Sequence, residues 1–199
     1  MTSSRPGGRT ARVRAAVLRA AGDVLAEQGF GHLDLADVAR RAVVGKTTVY
    51  RRWGSVAGLV ADLLAEMAEE SLPRSETGSL LGDLTANARL VRDTLADPRQ
   101  GALFKAVIAA ATGDARTAEA LHRFYEVRVA EWAPCVLAAI ERGEVPAGTD
   151  PHEVVRAVSA PLYYRLLTTA TPLDDAAADR AAKAAVAAAA AGAYVGWES

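Results

Sequence analysis

Apolar residues in this chain recur at intervals of three and four, and nowhere do they alternate with polar ones over the length of a strand. Side chains three or four apart share one face of a helix, whereas successive strand residues point to opposite faces. A chain patterned this way builds its core from helices alone. Composition agrees, because 45 of the 199 residues are Ala, which loses no side-chain entropy on entering a helix. The predicted fold class is all-α.

Several classes of function are excluded early. A single cysteine, Cys135, rules out an intramolecular disulfide framework and a Cys-rich zinc site, and suits a reducing cytoplasm. His32, His122 and His152 are far apart and lack ligand spacing, so no metal is expected. No Gly-rich phosphate loop follows a strand, and no cofactor is expected. Glu69-Glu70 and Asp174-Asp175 are adjacent acids near helix ends rather than a catalytic pair, and no enzyme activity is expected. The longest late uncharged stretch, Ala184 to Trp197, falls short of the roughly 20 residues a membrane span needs, so no membrane role is expected.

The formal net charge of −1 conceals an asymmetry. Residues 1–53 carry 10 Lys and Arg against 4 Asp and Glu, and the remainder carries 13 against 20. A basic first segment on an acidic body points to an anionic partner for that segment.

Local signals divide the chain. Residues 1–9 read as a flexible arm, whose Arg5 and Arg9 can reach a minor groove. From Thr10 to Gln28 the apolar spacing predicts a helix ended by Gly29. Asp34 caps a short helix carrying Leu35, Val38 and Ala39, with Asp37 where the helix dipole favours an acid. Val43-Val44-Gly45 interrupts it, Lys46 to Trp53 resumes as a short helix, and Ser55 caps a longer one through Met67. After a polar linker, Arg74 to Ser79, helices are predicted over 80–96, 100–112, 115–142, 150–169 and 174–195. Pro134 and Pro161 should each kink or divide their helix.

The segment from Leu33 to Trp53 is a short helix, a tight turn and a second short helix, which is the helix-turn-helix unit whose second helix enters the major groove. Val49 and Trp53, four apart, anchor that helix with Val44. Thr47 and Thr48 offer short hydrogen-bonding groups to base edges, and Lys46, Tyr50, Arg51 and Arg52 suit phosphates. Thr48, Arg51 and Arg52 are placed on the side away from Val49 and Trp53. A charged but merely solvated helix on a bundle is the rival reading.

Residues 42–59, AVVGKTTVYRRWGSVAGL, resemble the recognition segment of TetR-family transcriptional regulators, whose usual wording runs near AGVSKTTLYRRFPSKEAL. Glu27-Gln28-Gly29-Phe30, Leu35 and Asp37-Val38-Ala39 match the family's first two helices, and the likeness spans about residues 10–65. It implies an N-terminal three-helix helix-turn-helix domain and a C-terminal helical bundle that binds ligand and dimerises. The implied division is an arm at 1–9, a DNA-binding domain at 10–54, a connecting helix at 55–73, and an effector-binding and dimerisation domain at 74–199. The implied function is a homodimeric, ligand-responsive repressor on a palindromic operator of double-stranded DNA, in the cytoplasm. Gly45, Lys46, Thr47, Thr48, Tyr50, Arg51, Arg52 and Ser55 are its expected DNA contacts.

Three positions depart from the pattern. The turn glycine is Val43, so the turn must avoid positive φ there or tolerate strain. The helix-starting Ser is Gly45, a weaker cap. The phosphate-contacting Lys of the next helix is Val56, which leaves only the backbone amides at the Ser55 helix start for a phosphate. These departures motivate an alternative, a helical small-molecule-binding module without operator binding. In the family the last two helices pair with their twins, and Ala181, Ala184, Ala185, Ala188, Ala191 and Gly192 supply a small-residue face for that homodimer. Phe104, Phe124, Tyr125, Trp132 and Tyr163 are the expected pocket wall for a small apolar or aromatic effector.

Overall fold

The computed structural model describes residues 6–71 and 73–196. Among them lie nine α-helices and one isolated antiparallel bridge, Thr149 to Val195, but no strand. The chain divides into two compact units, residues 1–70 with 102–124, and residues 71–101 with 125–199.

The first unit opens with α1, Pro6–Gln28, a short 3-10 turn at Phe30–His32, α2 at Leu35–Arg41, α3 at Lys46–Trp53 and α4 at Val56–Glu69. Residues 6–9, expected in the arm, are helical. Pro6 opens the helix, a position where its missing N–H costs nothing. Residues 1–5, with Arg5, lie outside the described residues. Helix α1 packs on α2 and α4, and α3 packs on α2 and α4. Val17, Leu18, Ala21, Val24 and Leu25 of α1 meet Leu35, Val38 and Ala39 of α2 and Leu59, Val60, Leu63 and Leu64 of α4 in one core. Each fully buried large side chain there contributes roughly 1.5–3 kcal/mol.

In the second unit α5, Leu80–Ala96, α8, Pro151–Thr168, and α9, Asp175–Ala190, pack on one another. Between them in the chain run α6, Pro98–Ala111, and α7, Ala115–Glu141. Three Asp side chains open helices here: Asp97 accepts from the Gln100 amide at 2.8 Å, Asp150 from His152 at 2.8 Å, and Asp174 from Ala177 at 2.8 Å. With Asp97 as cap and Pro98 in the first turn, α6 starts two residues before its predicted Gln100. Neither Pro134 nor Pro161 divides its helix. Each removes one backbone donor, but buried neighbours on both sides, Ala133 and Cys135 in α7 and Val158 and Leu162 in α8, hold the helix together.

The small-residue face expected on the last helix is corrected. Ala181 and Ala185 point into this unit's own core with Ala177, Ala178, Ala182 and Ala189, whereas Ala184 and Ala191 are exposed and Ala188 is half-buried. Gly192 is not part of the helix face. At φ 80 it ends α9, and the amide after it, Ala193, returns to the Ala188 carbonyl at 3.0 Å, the paired bonding of a left-handed helix end. That is why α9 stops at Ala190 rather than near Val195. Trp197 lies outside the described residues.

Candidate nucleic-acid interface

Local chemistry sets α2 and α3. The Asp34 carboxylate accepts from the amides of Ala36 and Asp37, both at 3.0 Å, and so caps α2. Asp37 in turn pairs with Arg40 and, at 2.9 Å, with Arg41, while Arg41 also reaches Glu27 at 2.8 Å. Hydrogen bonds from Arg40 foremost hold the Asp37 carboxyl below the ordinary range. Helix α2 ends at a turn in which Val43 adopts φ 55. The turn thus carries the strain that a β-branched residue in left-handed conformation implies.

Helix α3 begins at Gly45, which caps it with no side-chain bond. Val49 is fully buried and Trp53 nearly so, the two anchors predicted for it, and Val44 is half-buried. The outward residues are Gly45, Lys46, Thr47, Tyr50, Arg51 and Arg52, all exposed, while Thr48 and Ser55 are half-buried. The tyrosine ring at 48% exposed is one of the larger apolar groups offered to solvent. Lys46 and Arg51 have no ion pair among the described residues, whereas Arg14, Arg40 and Arg41 are engaged. Within residues 33–53 the cations without an ion pair among the described residues are thus those of α3.

Arg52 is placed differently from its expected position. Its guanidinium lies over the Trp53 ring, 5.2 Å from the centroid. A long flexible side chain bends back to a neighbouring aromatic face, an attraction that helix angles alone do not register.

Ser55 caps α4 by accepting from Gly58 at 3.1 Å. A Cβ at Gly58 would stand 2.5 Å from the Trp53 carbonyl oxygen, so only glycine lets α4 start this close behind α3. Sequence reasoning missed what lies beyond. The Trp53 indole Nε1 donates to the Asp62 carboxylate at 2.9 Å, and Arg14 donates to the same carboxylate at 2.7 Å. The signal available was the residue type: an indole carries a donor that a phenylalanine lacks, and a buried donor needs a partner.

Of the five aromatic residues expected to line a pocket, four meet another ring within their own unit. Phe104 and Phe124 belong to the first unit, with centroids 5.5 Å apart. Tyr125 and Tyr163 belong to the second and meet edge to face at 5.4 Å. Burial pushes the Tyr125 hydroxyl up to about 12 and holds the Tyr163 hydroxyl well above its ordinary value, and the two hydroxyls are hydrogen-bonded. Trp132 is buried, and its indole N–H has no hydrogen-bond partner among the described residues.

A capped short helix, a tight turn and an anchored helix with a cationic outer face define a helix-turn-helix DNA-binding protein. Residues 17–63 match the family model of bacterial regulatory proteins of the tetR family, and residues 74–185 match that of the tetracyclin repressor-like C-terminal domain. The chain belongs to the TetR family of transcriptional regulators. It is 31% identical over 176 residues to the HTH-type transcriptional regulator YdeS of Bacillus subtilis, 88% of each chain being covered. It is 32% identical to the DNA-binding transcriptional repressor TetR of Mycobacteroides abscessus, over 81% of this chain and 85% of that one. Among solved structures, the TetR family transcription regulator SCO0332 aligns with a TM-score of 0.69 and 30% identity, over 88% of this chain and 97% of that one. The matched proteins are transcription regulators, not enzymes. No helix among the described residues is long and apolar enough to cross a membrane.

Proposed function

We propose that the chain is a homodimeric, effector-responsive repressor that reads a palindromic operator through α3 in the cytoplasm. The carrying observation is the outer face of α3, where Gly45, Lys46, Thr47, Tyr50 and Arg51 are exposed beside half-buried Thr48 while Val49 and Trp53 fix the opposite side. Thr47 and Thr48 are short enough to meet base edges. Lys46, Tyr50, Arg51 and the swung Arg52 suit phosphate oxygens, and the amides at the Ser55 cap suit one more. The repressor from Mycobacteroides abscessus supports the sign of regulation.

Dimerisation is assigned to the last two helices, through the outer face rather than the one first expected. Tyr164 and Leu167 of α8, at 67% and 49% exposed, Ala184 of α9, and Ala191 just past its end are apolar groups that these helices leave uncovered. Two copies of α3 about 34–36 Å apart would meet successive major-groove faces.

The effector site is assigned to the second unit around Tyr125, Trp132 and Tyr163. An aromatic effector carrying one acceptor suits these rings, because the Trp132 indole N–H lacks a partner and a buried donor left alone is costly. Half-buried Arg128, one turn before Trp132, adds a cation whose pKa burial holds below the ordinary value. Selection of duplexes from a random-sequence pool tests the DNA half. An inverted repeat with half-sites about 10 base pairs apart, or a multiple of that spacing, is expected. Recovery of no sequence would favour the alternative of a small-molecule-binding module.

A further inference from the structure

We infer that Asp62 is a positioning residue for DNA recognition: it touches no DNA, yet it sets the orientation of α3 through Trp53. Helix α3 has only eight residues, and its buried anchors are Val49 and Trp53 on one edge. Apolar contacts of that kind are non-directional and leave a short helix free to roll about its anchored edge. A hydrogen bond is directional, and the Trp53 indole supplies one, 2.9 Å to the Asp62 carboxylate.

Asp62 is itself held firmly. Arg14 of α1 reaches its two carboxylate oxygens with Nε at 3.2 and 3.1 Å and with Nη2 at 2.7 Å, and its main-chain carbonyl at 3.4 Å. The remaining Nη1 of Arg14 goes to Glu66, one turn further along α4, at 2.9 Å. The relay therefore runs from α3 through α4 to α1. Planar bidentate pairing of this sort fixes angle as well as distance. Burial alone would push the Asp62 carboxyl up, but the hydrogen bonds from Arg14 and Trp53 outweigh that and hold it below the ordinary range. Arg52 covers the Trp53 ring, so the ring that Asp62 orients also seats a cation of the outer face.

The inference rests on α3 as the groove helix, and its test separates the two. Trp53→Phe keeps an aromatic ring, though a smaller one, and removes the donor, and Asp62→Asn weakens the acceptor. Both are compared with wild type by fluorescence anisotropy on a duplex that the wild-type protein has recovered from a random pool. Each single variant should bind about tenfold more weakly, with the slope of log K against log salt unchanged because no phosphate contact is lost. The double variant should bind no more weakly than the poorer single. In ¹H–¹⁵N spectra the Trp53 indole resonance, assigned by its loss in Trp53→Phe, should shift and exchange faster in Asp62→Asn. A merely structural role would lower the melting temperature but leave the affinity of the folded protein as it was, and that result overturns the inference. So does an additive loss in the double variant. A wild-type protein that recovers no duplex would instead overturn the groove reading of α3 and this inference with it.

Discussion

The amide of Val44 donates to the carbonyl of Ala39 at 2.9 Å, and that bond closes because Val43 between them sits at φ 55. The Val43 amide meets the Arg40 carbonyl at 3.2 Å, completing the paired bonding that ends a helix on a left-handed residue. Glycine takes that place in α9, and valine takes it here. The conformation costs a residue with a Cβ about 1–2 kcal/mol, and a side chain 92% exposed regains nothing by packing. Val43→Gly relieves the strain while adding unfolded-state freedom worth roughly 0.5–1 kcal/mol. Urea unfolding should show a net gain of about 0.5–1 kcal/mol. A loss would mean that the turn is not strained.

Much of the first unit was legible because its signals are local. Asp34, Ser55 and Gly29 each act on the backbone within three or four residues, so α3 was predicted at the bounds it adopts. The faces of α9 were not legible, because alanine stands on every side of it and periodicity has no contrast to read. Only packing against α5 and α8 decides that Ala185 turns in and Ala184 out. The partnership of Asp62 with Arg14 joins residues 48 apart in sequence, and no local pattern announces it. Val43 shows the converse: the resemblance left the turn either to avoid positive φ there or to tolerate strain, and φ is positive.

Acid should act on the first unit through two opposed groups. Asp62 has its pKa lowered in the folded state, so its stabilisation is present above the unfolded value of about 3.9 and is lost as pH falls through the folded value. Glu66 has its pKa raised, by burial first and then by neighbouring acids against the pull of Arg14. Its ionisation opposes folding, and that penalty is relieved as pH falls toward its ordinary value of about 4.3. Melting temperature followed from pH 7 downward should therefore show a smaller acid loss below about pH 4 in Asp62→Asn than in wild type. Glu66→Gln should remove whatever gain precedes that loss. Identical profiles for wild type and Asp62→Asn would contradict the pairing.

Exposure separates two neighbouring alanines. Ala185→Glu puts a charge into the core of α9 and should unfold the second unit. Ala184→Glu should leave circular dichroism unchanged. With Tyr164→Glu it should raise the dimer dissociation constant about thirtyfold or more in sedimentation equilibrium, as loss of a central aromatic anchor does. A folded double variant that remains as dimeric as wild type would place the interface elsewhere.

Cys135 should be inert in the native protein. Burial foremost, with Asp83 nearby, pushes its thiol up to about 12, and the thiolate is the reactive form. A thiol reagent at pH 8 should label it only after denaturation. Prompt native labelling would contradict its burial.

The reading of α3 as a groove helix is tested most directly by titrating a labelled operator duplex with wild type and with the Lys46→Ala, Tyr50→Ala, Arg51→Ala triple variant across a range of salt. All three side chains are exposed, so the variant should fold. Wild-type affinity should fall steeply with salt. The variant should bind at least a hundredfold more weakly at low salt, with a slope shallower by roughly 0.9 for each phosphate contact removed. Equal affinity and equal slope in the two proteins would contradict the account.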